Sequence, residues 1–458
     1  MGTIDPDPEV AMQALLQDVA LRAGKYLHDL AERKVAPDPA AVAALDALDG
    51  ELPDAPADPH AVIDLLDRFG SPATLAEAGP RFFGFVMGGS LPAALAADWL
   101  AAAWDQNTGL YNVTPATSRL EQTALRWLLD VLDLPRSAGG AFVTGATVAN
   151  FVGLAAARHR VLERMGWNVE ADGLFGAPPI TVAIGAEAHP TLIKALGLLG
   201  LGRNRVVRVP VDAQGRMRVE ALPNLSAPAI VCAQVGNVNT GACDAVAALR
   251  ERVGAEVWLH VDGAFGLWAR AAPTRAALVM GVDAADSWAT DAHKWLNVPY
   301  DCGLAFVRDP LALSAAMAIT AEYLPTTSAF RNPSDYTPEL SRRARGVTVW
   351  AALRSLGRSG VTELVERNCR QARRFAEALA ASGFEVLNEV ALNQVLVSFG
   401  EPARTQRVIE ALQAEGTCWC GGTVWQGRTA MRISVSSWAT TDADVERSID
   451  AMRRVAAR

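Results

Sequence analysis

Val257-Trp258-Leu259-His260-Val261-Asp262-Gly263-Ala264-Phe265-Gly266 is the stretch on which the reading of this chain turns. An apolar run of strand length stops at an acid and then passes through small residues, as a buried strand does where its carboxyl end opens on a site. Similar runs recur at Ala141 to Thr144, Ile180 to Ile184, Val206 to Val209, Ala229 to Val235 and Leu304 to Val307, with helical stretches between them. Short apolar strands alternating with helices predict a mainly parallel sheet covered on both faces. An amphipathic helix over Arg119 to Leu132, with Leu120, Ala124, Trp127, Leu128 and Val131 on one face, leads into that domain.

Working outward, 458 residues are enough for two or three structural units. Residues 1–80 read as helical segments joined by Pro/Asp/Ala-rich linkers, an N-terminal arm. Residues 81–345 form the α/β domain, and 346–458 a smaller α+β unit. In the latter, helices are predicted around Val349 to Leu356 and Val361 to Ser382, strands at Gln394 to Phe399 and Ala430 to Ser434, and a closing helix from Asp442 to Val455.

Half of the residues are apolar and 20% charged, the proportions of a globular protein. A net charge of -8 provides no basic field for nucleic acid or an anionic membrane surface. The acidic start, with Asp5, Asp7 and Glu9, lacks the form of a secretion signal. The apolar run Ala93 to Ala103 is broken by Asp98 and falls short of the ~20 residues that span a bilayer. Six scattered cysteines, without paired metal-site spacing, fit reduced thiols and a cytoplasmic location.

Of the 42 basic residues only Lys25, Lys34, Lys194 and Lys294 are lysine. Arginine cannot stand in where an amine must give up its proton, so each lysine invites a question. Lys294 lies in Asp291-Ala292-His293-Lys294-Trp295-Leu296-Asn297-Val298-Pro299-Tyr300-Asp301-Cys302-Gly303, between the run Asp286 to Thr290 and a predicted strand. A lysine is ordinarily a solvated surface charge; one in a turn among His, Trp and Tyr beside a buried sheet fits Schiff-base chemistry better. Asp262 by itself reads equally as a turn cap. With a lysine some thirty residues downstream, it becomes the carboxylate that a pyridoxal ring nitrogen needs.

Two further strand ends join this set. Phe142-Val143-Thr144-Gly145-Ala146-Thr147 opens the predicted helix Val148 to Val161, and backbone N–H groups at a helix start with a threonine hydroxyl make a phosphate seat. Ala186-Glu187-Ala188-His189-Pro190-Thr191 places an imidazole after another strand. A lone histidine is usually structural, but three of the six, His189, His260 and His293, fall at strand ends or beside Lys294.

These motifs, in this order and approximate spacing, resemble those of the group II pyridoxal-phosphate decarboxylases, the family of aromatic-amino-acid and glutamate decarboxylases. The resemblance covers Arg81 to Leu356 well and the remainder more loosely. It implies the fold type I, aspartate-aminotransferase-like architecture, a pyridoxal 5'-phosphate cofactor and a homodimer with sites at the subunit interface. Lys294 then resembles the Schiff-base lysine, Asp262 the partner of the ring nitrogen, His189 the stacking imidazole and Ala264 the small residue on the other ring face. Ala146 and Thr147 resemble phosphate binders, Thr240 a contact to the cofactor's polar edge, and His293 a residue near the phosphate or the substrate. Phe82 to Gly89, including Phe85 and Val86, would line the substrate pocket, with Arg432 near the substrate carboxylate.

The implied reaction is decarboxylation of an L-amino acid, with an aromatic one favoured, to an amine. In the family a loop tyrosine protonates the intermediate; within Ala321 to Pro338 the candidates are Tyr323 and Tyr336, neither at the family's spacing. That departure keeps oxygen-dependent decarboxylative deamination to an aldehyde as the alternative product, beside transamination and aldol cleavage. Gly197, Gly200 and Gly202 raise a dinucleotide-dependent oxidoreductase as a remote alternative, but they follow a helix where the fingerprint needs a strand-to-helix turn.

Overall fold

The computed structural model describes residues 8–319 and 330–458. Seven strands form the central sheet: β1 (Gly139–Val143), β2 (Thr181–Gly185), β3 (Val207–Val209), β4 (Ala229–Gln234), β5 (Trp258–Asp262), β6 (Ser287–Asp291) and β7 (Gly303–Val307). Their order is β1-β7-β6-β5-β4-β2-β3, with β7 antiparallel to both neighbours and the other pairs parallel. The alternation of side chains accounts for the continuous apolar runs. In β4, Val231 and Ala233 point into one core, while Ile230 and Cys232 point into the other. In β5, Leu259 and Val261 share the first core with Trp268, Trp288 and Trp295, and Trp258 enters the second. A strand buried on both faces has no polar face to show, and each buried aliphatic side chain contributes about 1.5–3 kcal/mol.

The second core is closed by the helix Ala146–Glu163, which begins two residues earlier than the sequence predicts, and by Pro190–Leu198. Gly200 and Gly202, with φ of 75° and 82°, follow the latter helix and terminate it, so no dinucleotide loop forms there.

The C-terminal sheet is antiparallel throughout, in the order β10-β11-β9-β8, from β8 (Glu385–Val386), β9 (Gln394–Ser398), β10 (Gly421–Trp425) and β11 (Arg428–Ser434). The helices Arg345–Ala381, Pro402–Glu415 and Asp442–Ala456 pack on it. The first of these is the two predicted helices run together across Gly357, whose φ of 61° breaks the helical path. Thr441 and Asp444 close a capping box on the last. The segment after residue 81 belongs with this sheet by contact: Phe83 is in its core, Phe83 N–H donates to Trp419 O, and Ser434 N–H donates to Phe83 O. Among the described residues, no helix is long and apolar enough to cross a membrane.

Candidate active site

A cleft of about 500 Å³ opens beyond the carboxyl ends of β4 and β5, where His189, Asp262, Ala264, Lys294, Phe85 and Arg432 meet. It lies where an open α/β sheet binds ligands.

Lys294 stands in the turn between β6 and β7, and its Nζ is 2.9 Å from Asp291 Oδ2. Asp291 is the last residue of β6, and its other oxygen accepts from the Ala146 N–H at 2.6 Å. One buried carboxylate thus ties the lysine to the start of the helix Ala146–Glu163. The turn itself is pinned by Asn297, which has a φ of 56°. Its Nδ2 donates to Trp295 O (2.9 Å) and Ser436 O (3.0 Å), and its Oδ1 accepts from Trp438 N–H (2.8 Å). Gly88 crosses directly over this turn; a Cβ there would lie 1.9 Å from Lys294 O.

Asp262 ends β5 and is buried, with Oδ1 lacking any hydrogen-bond partner among the described residues. Burial pushes its carboxyl above the usual range, while His189, Lys294 and Asn150 pull it down. His189 caps the helix Pro190–Leu198. Its Nδ1 accepts from Thr191 N–H at 3.3 Å and lies 2.7 Å from the Thr191 hydroxyl, which leaves the proton on Nε2. Burial lowers the His189 pKa, and Lys294 and Arg432 add to that against the attraction of Asp262, so the ring is neutral. Burial also lowers His293, whose Nδ1 accepts from Cys302 N–H (3.1 Å) and whose ring stacks on Tyr300 at 4.2 Å. A Cβ on Gly145 would come within 3.3 Å of His293 Cε1, which puts this ring at the helix start next to Ala146 and Thr147.

Three expectations change. Ala146 N–H is engaged by Asp291, so the phosphate seat already contains an acid that the sequence reading did not single out. Thr240 does not line the cleft: its hydroxyl donates to Gln214 O at 2.7 Å and accepts from Ala242 N–H, holding a turn, while Val238 and Asn239 face the cleft instead. Tyr336 is also elsewhere, packed on the second core under the Arg331 guanidinium, 3.9 Å from its ring centre. Tyr323 lies outside the described residues. Phe85 and Val86 do reach the cleft, on consecutive left-handed backbones with φ of 52° and 63°. Arg432, from β11, lines the same wall, and its guanidinium makes no ion pair among the described residues.

A pyridoxal ring asks for an amine, a buried carboxylate, a flat slot and an anion seat. Lys294 would supply the amine, and the unpartnered Asp262 oxygen would meet the second demand. His189 and Ala264, both in the cleft lining, would flank the ring, and the helix start beside Thr147 and His293 would hold the phosphate. The residues fit the group. A family model described as the pyridoxal-dependent decarboxylase conserved domain matches residues 44–400. The chain belongs to the pyridoxal-dependent decarboxylase family. Pyridoxal phosphate is its cofactor, and decarboxylation of an amino acid is its reaction class.

Tryptophan decarboxylase 1 of Oryza sativa subsp. japonica is 29% identical over 402 residues, 79% of this chain and 77% of that protein. Phenylacetaldehyde synthase of Arabidopsis thaliana is 26% identical over 429 residues, 86% of each chain. A crystal structure of Oryza sativa TDC with PLP and tryptamine superposes with a TM-score of 0.90 over 99% of both chains at 24% identity, a likeness of fold.

Proposed function

We propose that this decarboxylase holds pyridoxal phosphate on Lys294, with Asp262 against the ring nitrogen, His189 and Ala264 on the two ring faces, and Thr147 and His293 near the phosphate. The observation that carries this assignment is the buried, unpartnered Oδ1 of Asp262 in the same cleft as Lys294. A carboxylate oxygen left without a donor in a buried site is unfavourable, and a protonated ring nitrogen satisfies it. Bound pyridoxal phosphate supplies an electron sink for the pair left when carbon dioxide departs. The protein's part is placement. Asp291 holds the Lys294 amine at the cleft floor, and the neutral His189 ring closes one side without adding charge. Arg432, without an ion-pair partner among the described residues, offers its cation to a substrate carboxylate, and Phe85 and Val86 present an apolar wall that suits an aromatic side chain.

The favoured product is the amine, formed in a cytoplasmic homodimer, with residues 1–80, 81–345 and 346–458 as the working division of the chain. Aldehyde formation is the second reading, because Tyr336 is not in the cleft and a relative bears the name phenylacetaldehyde synthase. Carbon dioxide release and oxygen uptake, recorded together across a panel of amino acids, separate the two. Release without oxygen uptake, abolished in Lys294→Ala, is the expected outcome. Stoichiometric oxygen uptake would establish the aldehyde route, and full release by Lys294→Ala would overturn the assignment of the lysine.

A further inference from the structure

Beneath Asp262 runs a buried polar chain for which the cleft itself has no use. Trp258 Nε1–H donates to Ser287 Oγ at 2.8 Å, Ser287 Oγ is 2.7 Å from His260 Nδ1, and His260 Nε2 is 2.8 Å from Asn150 Oδ1. Ser287, His260 and Asn150 are wholly inaccessible to solvent, and Trp258 nearly so. The helix that carries Asn150 makes room for the imidazole one turn later: a Cβ on Gly153 would lie 2.9 Å from His260 Cε1.

The donors and acceptors orient this chain. An amide oxygen only accepts, so His260 carries its proton on Nε2, and Nδ1 accepts from the Ser287 hydroxyl, which in turn accepts from Trp258. Burial lowers the His260 pKa to about 3, so the imidazole is neutral and stays in that tautomer. With its oxygen committed to the imidazole, the Asn150 amide has its NH2 left for Asp262, whose pKa Asn150 draws downward against the larger upward effect of burial. The opposite flip would set the amide oxygen against a carboxylate and its NH2 against the ring, with the tautomer reversed. Asn150 Nδ2 and Asp262 Oδ1 are both buried without a hydrogen-bond partner of regular geometry in the described structure, one donor and one acceptor left unmet.

We propose that Asn150 is a positioning residue: oriented by the Trp258, Ser287 and His260 chain, its NH2 steadies the Asp262 carboxylate from the core side and leaves one oxygen facing the cofactor's ring nitrogen. The inference rests on the assignment of Asp262 to that nitrogen. Nothing in it requires Asn150 to touch cofactor or substrate. An uncharged prop suits the role, since a second charge at this depth would move the proton balance of the ring it supports.

The test uses holoenzyme of the wild type, Asn150→Leu, Asn150→Asp and Ser287→Ala. It reads the dissociation constant of pyridoxal phosphate by equilibrium dialysis, the pH midpoint of the bound cofactor's visible band, and kcat against KM. Asn150→Leu is expected to weaken the cofactor about tenfold and to shift the midpoint, with kcat falling more than KM rises. Asn150→Asp should weaken it further, by setting a second anion against Asp262. Ser287→Ala, two links away, should shift the midpoint less and in the same direction as Asn150→Leu. An unchanged dissociation constant and midpoint in Asn150→Leu would overturn the proposal. If neither Asn150 variant folds, an unchanged midpoint in Ser287→Ala does the same. Retention of the wild-type spectrum and affinity by Asp262→Ala would instead remove the underlying assignment, and the proposal with it.

Discussion

The two walls of the cleft are built on opposite plans. On the side of the large sheet, Asp262, Asp291 and Lys294 end or follow strands buried on both faces, and Asp291 and Lys294 are locked to each other and to a helix start. On the side of the C-terminal sheet, Arg432 has no ion-pair partner among the described residues, and Phe85 and Val86 sit on left-handed backbones. Among the described residues, the first wall has its lysine and Asp291 already paired, while Asp262 keeps a carboxylate oxygen unpartnered. The other keeps its binding capacity open. On the proposed assignment, the difference teaches where to look for chemistry and where for selection: the groups assigned to the cofactor are anchored by the parallel sheet, and those assigned to the substrate are carried on a hairpin and a strained strap.

The comparison predicts a graded set of effects. Asp262→Ala should lower kcat by on the order of 10²–10³ and leave KM nearly unchanged, because the large-sheet wall acts on developing charge; steady-state kinetics check this. A comparable rise in KM with kcat intact would place Asp262 on the binding side and break the contrast. Arg432→Leu should raise KM about tenfold with little loss of kcat, and a collapse of kcat would give both walls the same role.

A third effect is on stability, and it grows as the pH falls. His260 is held at about 3 by burial, against 6.5 for the free side chain. Between those values the unfolded chain binds a proton that the folded chain refuses, so stability is fully present above pH 6.5 and falls as the pH drops through the window. The slope reaches at most roughly 1.4 kcal/mol per pH unit. Urea midpoints of the wild type and His260→Gln from neutral to acid pH should diverge, with the variant flatter; parallel curves would show that the chain under Asp262 is not held neutral by the fold.

Much of this was readable along the chain. The runs ending at Asp262 and preceding Lys294 are local signals, and their burial on both faces follows from uninterrupted apolar composition. The sequence misplaced what depends on distance in the fold. Thr240 looks like a cofactor contact, but its hydroxyl closes a turn through Gln214. Tyr336 looks like a proton donor, but its ring is covered by Arg331 on another surface. Asp291 escaped notice because its role depends on β6 running one residue further than the apolar pattern shows, which brings its carboxylate to Ala146, 145 residues away in the chain.

The amino-acid sequence by itself determined the alternation of strand and helix, the scarcity of lysine that singles out Lys294, and the motifs that mark the family, because each is written in periodicity or in neighbouring residues. Only the tertiary structure decided which polar groups face one another. The bond from the Ala146 N–H to Asp291 and the pairing of Asn150 with His260 both depend on strand register and helix placement. Hydrogen bonds are satisfied within about 3 Å, and no pattern read along a chain specifies distances that short between residues more than a hundred positions apart.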